Sequence, residues 1–378
     1  MGGKAALFTF LSVKKRGDKL LPHPIPYFYP MNIKAYKYLL PFGVYGAAWL
    51  AFHRQGLWVF LPVAYAFVCI PLAELFWPPN SSNFDKAEED IAREDRLYDL
   101  FLYLILPMQL LALYWFFNHI TLSGLQWWEK AGMVSAMGLC CGTFGINVGH
   151  ELGHRKPRYE QWLAKTLLLT SLYTHFFIEH NKGHHKHVST PLDPSSAPKG
   201  MHLYRFWLRS VSGSWLKAWK IAGSELEKQG LPALHFKNEM LQLQFLQIAW
   251  LTVIGLVWGY QVLLWYLPAA VMGFLLLETV NYIEHYGLSR KETMPGQYER
   301  TLPQHSWNSN HVLGRLMLFE LSRHSDHHYL ASRKYQILRH HDTAPQLPTG
   351  YPGTMLLSTI PPLWFWVMDK RLARISET

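Results

Sequence analysis

Apolar residues in this 378-residue chain are gathered into blocks separated by polar stretches. A helix that crosses a membrane needs about 20 largely apolar residues. Six blocks approach or reach that length, at about 33–52, 57–77, 100–117, 131–149, 245–265 and 268–283. The link His53-Arg54-Gln55-Gly56 is all that separates the first two, which read as a hairpin. A turn near Tyr266 to Pro268 is expected between the last two. An acidic stretch, DKAEEDIAREDR, follows the second block. Residues 162–178 are apolar but short, and read as a buried or interfacial helix. Residues 354–368 are apolar too, but Pro361 and Pro362 make them an interfacial segment. The pattern therefore predicts an all-α integral-membrane protein with six transmembrane helices. Polar segments 150–244 and 284–378 form a histidine-rich cap on it. Residues 1–32 are read as a peripheral lead-in and 33–378 as one membrane-embedded domain. The early run AALFTFLSV is short and is followed by Lys14, Lys15 and Arg16 rather than a cleavage site, unlike a signal peptide.

Mean hydropathy is near zero, because the cap offsets the spans. The formal net charge is +10. In a membrane protein such an excess marks cytoplasmic surfaces, and no nucleic-acid-binding motif competes with that reading. Lys14, Lys15, Arg16 and Lys19 precede the first block; Arg155, Lys156, Arg158, Lys182 and Lys186 follow the fourth; Arg290, Lys291, Arg323, Arg333, Lys334, Lys370 and Arg371 follow the sixth. Six spans put both termini on one side, so the cap and both termini are expected in the cytoplasm, below a bacterial inner membrane. Cys69, Cys140 and Cys141 all lie in apolar stretches with no CxxC pair, which supports neither a disulfide framework nor a thiolate-bound metal.

Of 20 histidines, only His23, His53 and His119 precede residue 150. HELGH places His150 and His154 one helical turn apart, on one face. It also matches the zinc-protease pattern, in which the glutamate is the general base. That reading would leave the remaining clusters unexplained. HNKGHH offers His180, His184 and His185; HSDHH offers His324, His327 and His328; NYIEHYG offers His285. These nine imidazoles come from four segments at one membrane face, too many for one metal and reasonable for two. Imidazole suits iron, copper and zinc. Without thiolates, and with an apolar domain beneath, oxygen-activating iron fits best. The competing readings are a pH-sensing histidine array and a metal transporter, whose ligands would lie near the bilayer midplane rather than at span ends. His175, His187, His202, His235, His305, His311, His340 and His341 lack the pattern and read as surface or supporting residues. Candidates to orient the ligands are Asn147, Asp193, Glu278, Asn281 and Asp326, with packing or capping as the plainer role for each. Gly43, Gly46, Ala47, Ala48, Ala64, Ala66, Gly138, Gly142 and Gly145 suggest close helix packing or a slot for an extended chain.

NVGHELGHRK, FFIEHNKGHHKHVSTPLDP, NYIEHYGL, HSWNSNH, RHSDHH and LPTGYPG occur in that order and resemble the membrane alkane 1-monooxygenase family, within the histidine-box desaturase and hydroxylase superfamily. The resemblance implies terminal hydroxylation of alkanes. It implies two iron ions in a non-haem di-iron centre, molecular oxygen as co-substrate, and rubredoxin, with its reductase upstream, as electron donor. The family's ligand positions fall on His150, His154, His180, His184, His185, His285, His324, His327 and His328. Which iron each one holds stays open. A fatty-acyl desaturase or an aromatic-methyl hydroxylase with the same centre is the alternative. The chain has no cysteine quartet, flavin motif or haem motif, so a separate acidic donor is expected on the basic cap, near Arg155, Lys156, Lys182, Arg333 and Lys334.

Overall fold

Helices account for nearly all regular structure in this computed structural model, which describes residues 33–376. The expected lead-in, residues 1–32, lies outside the described residues. The block expected as the first span is divided into a 3-10 turn, Ile33–Leu39, and helix α1, Phe42–His53. Pro41 causes the division, since proline disfavours helical backbone in the residue before it and brings no N–H. Twelve residues reach only about 18 Å, short of a hydrocarbon core about 30 Å thick. Five single helices are long and apolar enough to cross a membrane, among the described residues; the divided first block also runs from the cap, where the Tyr38 hydroxyl meets Glu320, to Gly56, whose amide meets Glu129.

Those five are α2 (Gly56–Phe76), α4 (Arg96–His119), α5 (Trp127–Gly153), α9 (Glu239–Trp258) and α10 (Tyr260–His285). Between the first two, the acidic stretch folds as α3 (Lys86–Glu94), closed by a capping box of Asp85 and Glu88. Residues 162–178 give no span: α6 (Arg158–Leu169) ends, the chain turns, and α7 begins. Helix α7 runs through Phe176–Glu179, a π-turn at His180–His184, and His185–His187. The long α8 (Leu203–Glu227) leads to α9. The break between α9 and α10 falls at Gly259, not near Pro268. Gly259 adopts φ 89°, a conformation that favours glycine. Pro268 sits within α10 and forfeits one backbone hydrogen bond. A two-stranded hairpin, β1 (Glu292–Met294) and β2 (Gln297–Tyr298), follows. The remaining cap carries α11 (Val312–Met317), α12 (His324–Tyr329), α13 (Tyr351–Ser358) and α14 (Pro361–Ser376). Pro361 and Pro362 open α14, at positions whose N–H groups have no partner in the helix anyway.

Helices α5 and α10 form the centre. A Cβ on Gly142 would stand 2.8 Å from the Gly273 carbonyl oxygen, and one on Gly273 would stand 2.6 Å from Cys141 Cβ. Gly138 and Gly145 are likewise hemmed in, by Met272 and by Ser171 and Thr170. These four positions serve close packing. Gly43 and Gly46 meet nothing within 4 Å. Outward faces carry Phe245, Ile248, Leu256 and Leu264, all exposed as lipid contact requires.

Candidate metal centre

Four segments deliver the histidines. Helix α5 carries a π-turn, Cys141–Ile146, directly below His150. In an α-helix a residue five positions on lies about 140° around the axis. The i→i+5 bonding of a π-turn brings it back above its starting point. So in α7 the π-turn aligns His180 with His185, whose Nε2 atoms stand 3.0 Å apart. In α12, His324 and His328 are one turn apart and His327 points to the other side.

The nine imidazoles separate into two groups. His150, His154, His180, His185 and His327 form one; His184, His285, His324 and His328 form the other. Within each, one nitrogen per ring lies within 4.8 Å of all the others. Besides His180 with His185, close Nε2 pairs are His150 with His327 at 2.9 Å, His327 with His185 at 3.2 Å, His184 with His328 at 3.2 Å and His285 with His324 at 3.2 Å. A nitrogen ligand sits about 2.0–2.1 Å from a zinc-like ion. Two such ligands at right angles would stand about 3 Å apart, so the spacing suits donors around a shared ion. The buried Nε2 of the half-buried His154 has no hydrogen-bond partner, as a donor aimed at an ion would not. Burial, then the neighbouring imidazoles, holds His154, His180, His185, His324 and His328 well below the usual imidazole range. Burial takes His327 to about 3. Neutral imidazole is the form that binds metal. Burial pulls His184 the same way, but the Asp193 carboxylate outweighs it and holds His184 above its usual value.

Of the five candidates for orienting ligands, Asp193 meets an imidazole, its Oδ2 2.8 Å from His184 Nδ1. That contact leaves Nε2 facing the group. Asn147 donates to the Leu318 carbonyl at 3.0 Å. Glu278 accepts from Tyr173 at 2.7 Å and from Asn281 at 3.2 Å. Asp326 takes Arg333, His341 and the Arg339 amide. Glu151, the would-be protease base, is bound to Arg155 and the Tyr335 amide. Sequence reasoning passed over Lys217, which lies 2.9 Å from Glu179 and 3.7 Å from Asp193, and Glu284, which contacts His324. The second had a signal, its place beside His285 in NYIEHYG; Lys217 sits far from any histidine box.

An apolar cleft lies between α2, α5, α10 and the cap loops, lined by Ala66, Leu139, Gly142, Leu276 and others, with Asn147 and Leu321 among them. Asn147 is three residues before His150 and Leu321 three before His324, while none of the nine histidines is itself in the lining. Of the proposed docking cations, Arg155 is buried against Glu151 and Asp99. Lys182 pairs with Glu225, Arg333 with Asp326 and Lys334 with Asp99. Lys156 is exposed.

Comparison with known proteins places this geometry in context. Residues 125–355 match the family described as fatty acid desaturase. Alkane 1-monooxygenase 2 of Pseudomonas aeruginosa is 40% identical over 83% of this chain and 84% of its own. Alkane 1-monooxygenase of Pseudomonas putida is 36% identical over 86% and 81%. The hydroxylase component of a xylene/toluene monooxygenase, also from Pseudomonas putida, is 28% identical over 88% and 87%.

Proposed function

This chain belongs to the alkane 1-monooxygenase family, and from that premise we propose that it hydroxylates the terminal carbon of alkanes with molecular oxygen and two electrons from rubredoxin. The carrying observation is the convergence of five and four imidazoles, on helices whose preceding turns, at Asn147 and Leu321, line an apolar cleft. The nine histidines would hold two irons. That centre would supply the reduction of oxygen by the donor's two electrons together with two protons, by which one oxygen atom enters the terminal C–H bond and the other leaves as water.

The protein's own residues do the rest. An alkane offers no polar handle, so the cleft binds it by excluding water. Its narrow course between spanning helices admits the chain end first, which makes the terminal carbon the one presented. Asp193 fixes the ring of His184 through Nδ1. The distribution of lysine and arginine supports a cytoplasmic cap, with the spans in a bacterial inner membrane.

The test is the purified chain in lipid with rubredoxin, its reductase and oxygen, offered octane, a fatty-acyl ester and a xylene. A primary alcohol from octane as dominant product is expected. Desaturated ester or methylbenzyl alcohol in its place would select the alternatives. His184→Ala and His327→Ala should each abolish hydroxylation and lower bound iron; full activity in either would remove that residue from the ligand set.

A further inference from the structure

One histidine group has five nitrogen donors and the other four. Beside the smaller group stands a carboxylate that no ion pair with lysine or arginine explains. Glu284 is the penultimate residue of α10 and is 1% exposed. Its Oε2 lies 3.1 Å from His324 Nε2. That nitrogen is itself 3.2 Å from His285 Nε2. The oxygen thus continues the spacing that separates the imidazole donors. Its other oxygen, Oε1, accepts from the Tyr351 hydroxyl at 2.8 Å, which fixes the carboxylate plane. Among the described residues no lysine or arginine nitrogen comes within 4.0 Å of it.

A buried carboxylate without a cation is costly. Two dications among neutral imidazoles are a buried excess of positive charge and costly too. Bringing them together relieves both. Carboxylate oxygen binds metal at about 2.0–2.2 Å, much as imidazole nitrogen does, so a carboxylate oxygen about 3 Å from one donor of the group can reach the same ion. We propose that Glu284 is a carboxylate ligand of the metal held by His184, His285, His324 and His328. The proposal rests on the histidine reading above. It makes the two sites chemically unequal, one with nitrogen donors alone and one with an added anionic oxygen. The competing arrangement is a hydrogen bond in which His324 Nε2–H donates to Glu284. Glutamine separates the two, because it keeps size and an acceptor oxygen but loses the charge and most metal affinity.

The metal-free chain, in detergent, is titrated with Co(II), following bound metal and visible absorption. The parent is expected to bind two ions. Glu284→Gln should bind one as the parent does and the other at least tenfold more weakly. Glu284→Asp, which keeps the charge, should bind that ion more tightly than the glutamine variant does. The unaffected ion reports that the variant is folded. Two parent-like ions in Glu284→Gln, equal weakening of both, or aspartate weaker than glutamine would each overturn the proposal. A parent that binds fewer than two ions would instead overturn the histidine reading beneath it.

Discussion

Glu320 shows how one side chain holds a histidine box in place. It is buried four residues before His324, where the chain passes through left-handed backbone at Phe319 and Glu320, φ 49° and 61°. Arg315 donates to Oε2 at 2.7 Å, and the Tyr38 hydroxyl to Oε1 at 2.8 Å, with Lys37 at 3.5 Å. Burial pushes the carboxyl up, but Arg315 and then Lys37 outweigh it and bring it to about 2. A depressed carboxyl stabilises the fold above its unfolded value, and that stability is lost as pH falls from about 4.5 toward 2. At neutral pH this amounts to roughly 3 kcal/mol. Glu320→Gln should therefore unfold more readily at pH 7, with a flatter loss on acidification. Parallel pH profiles for parent and variant, measured by thermal unfolding in detergent, would contradict it. At this scale the sequence was partly legible. The nine histidines announce themselves by clustering. Glu320 does not, because a single acidic residue away from a histidine box acquires meaning only from partners that folding brings from distant segments; Glu284 had only its place beside His285.

Among elements, α7 departs from α geometry where it carries donors. HNKGHH sets imidazoles at i, i+4 and i+5, and an α-helix would turn the last away from the first. The π-turn at His180–His184 restores the alignment and sends His184 to one group and His185 to the other. Spacing alone marked a box, but the division of donors between sites depends on that turn. The membrane helices were legible as blocks, but a backbone effect divides the first at Pro41 and moves the break between α9 and α10 to Gly259. Ala66 in α2 lines the cleft. Gly142 lines it too, but is pressed against Gly273 and cannot enlarge without parting α5 from α10. Ala66→Trp is thus the substitution that should shorten the cleft and leave the helix pair intact. The variant should favour shorter alkanes several-fold and still oxidise the terminal carbon. A competition between medium and long chains settles this; unchanged product ratios would mean the cleft does not hold the substrate's tail.

For the whole molecule, the sign of the charge was legible and its arrangement was not. Basic residues chosen as a docking patch are largely consumed inside the cap: Arg155 lies buried, and Lys182, Arg333 and Lys334 each pair with a carboxylate. Attraction of an acidic donor then rests on the overall excess of +10. Such an excess steers encounter from a distance and is screened by salt. With donor limiting, turnover should fall several-fold as ionic strength rises, while turnover at saturating donor changes little. Arg155→Ala should lower stability more than donor affinity, because it strips the buried Glu151 of its cation and leaves Asp99 with Lys334 alone. Turnover that is indifferent to salt would leave apolar contact as the basis of docking.

The position of the cleft among spanning helices also governs how selectivity must be measured. A substrate that arrives through lipid is present at the concentration the bilayer accumulates, not the one pipetted into water. Transfer of each CH₂ from water into an apolar phase gains about 0.8 kcal/mol, roughly a fourfold enrichment per carbon. Four extra carbons then raise the local supply by a factor on the order of 200. At equal aqueous dose a longer alkane would dominate the products even if the protein bound both alike. Dosed per lipid, that partition bias cancels, and the ratio that survives belongs to the cleft.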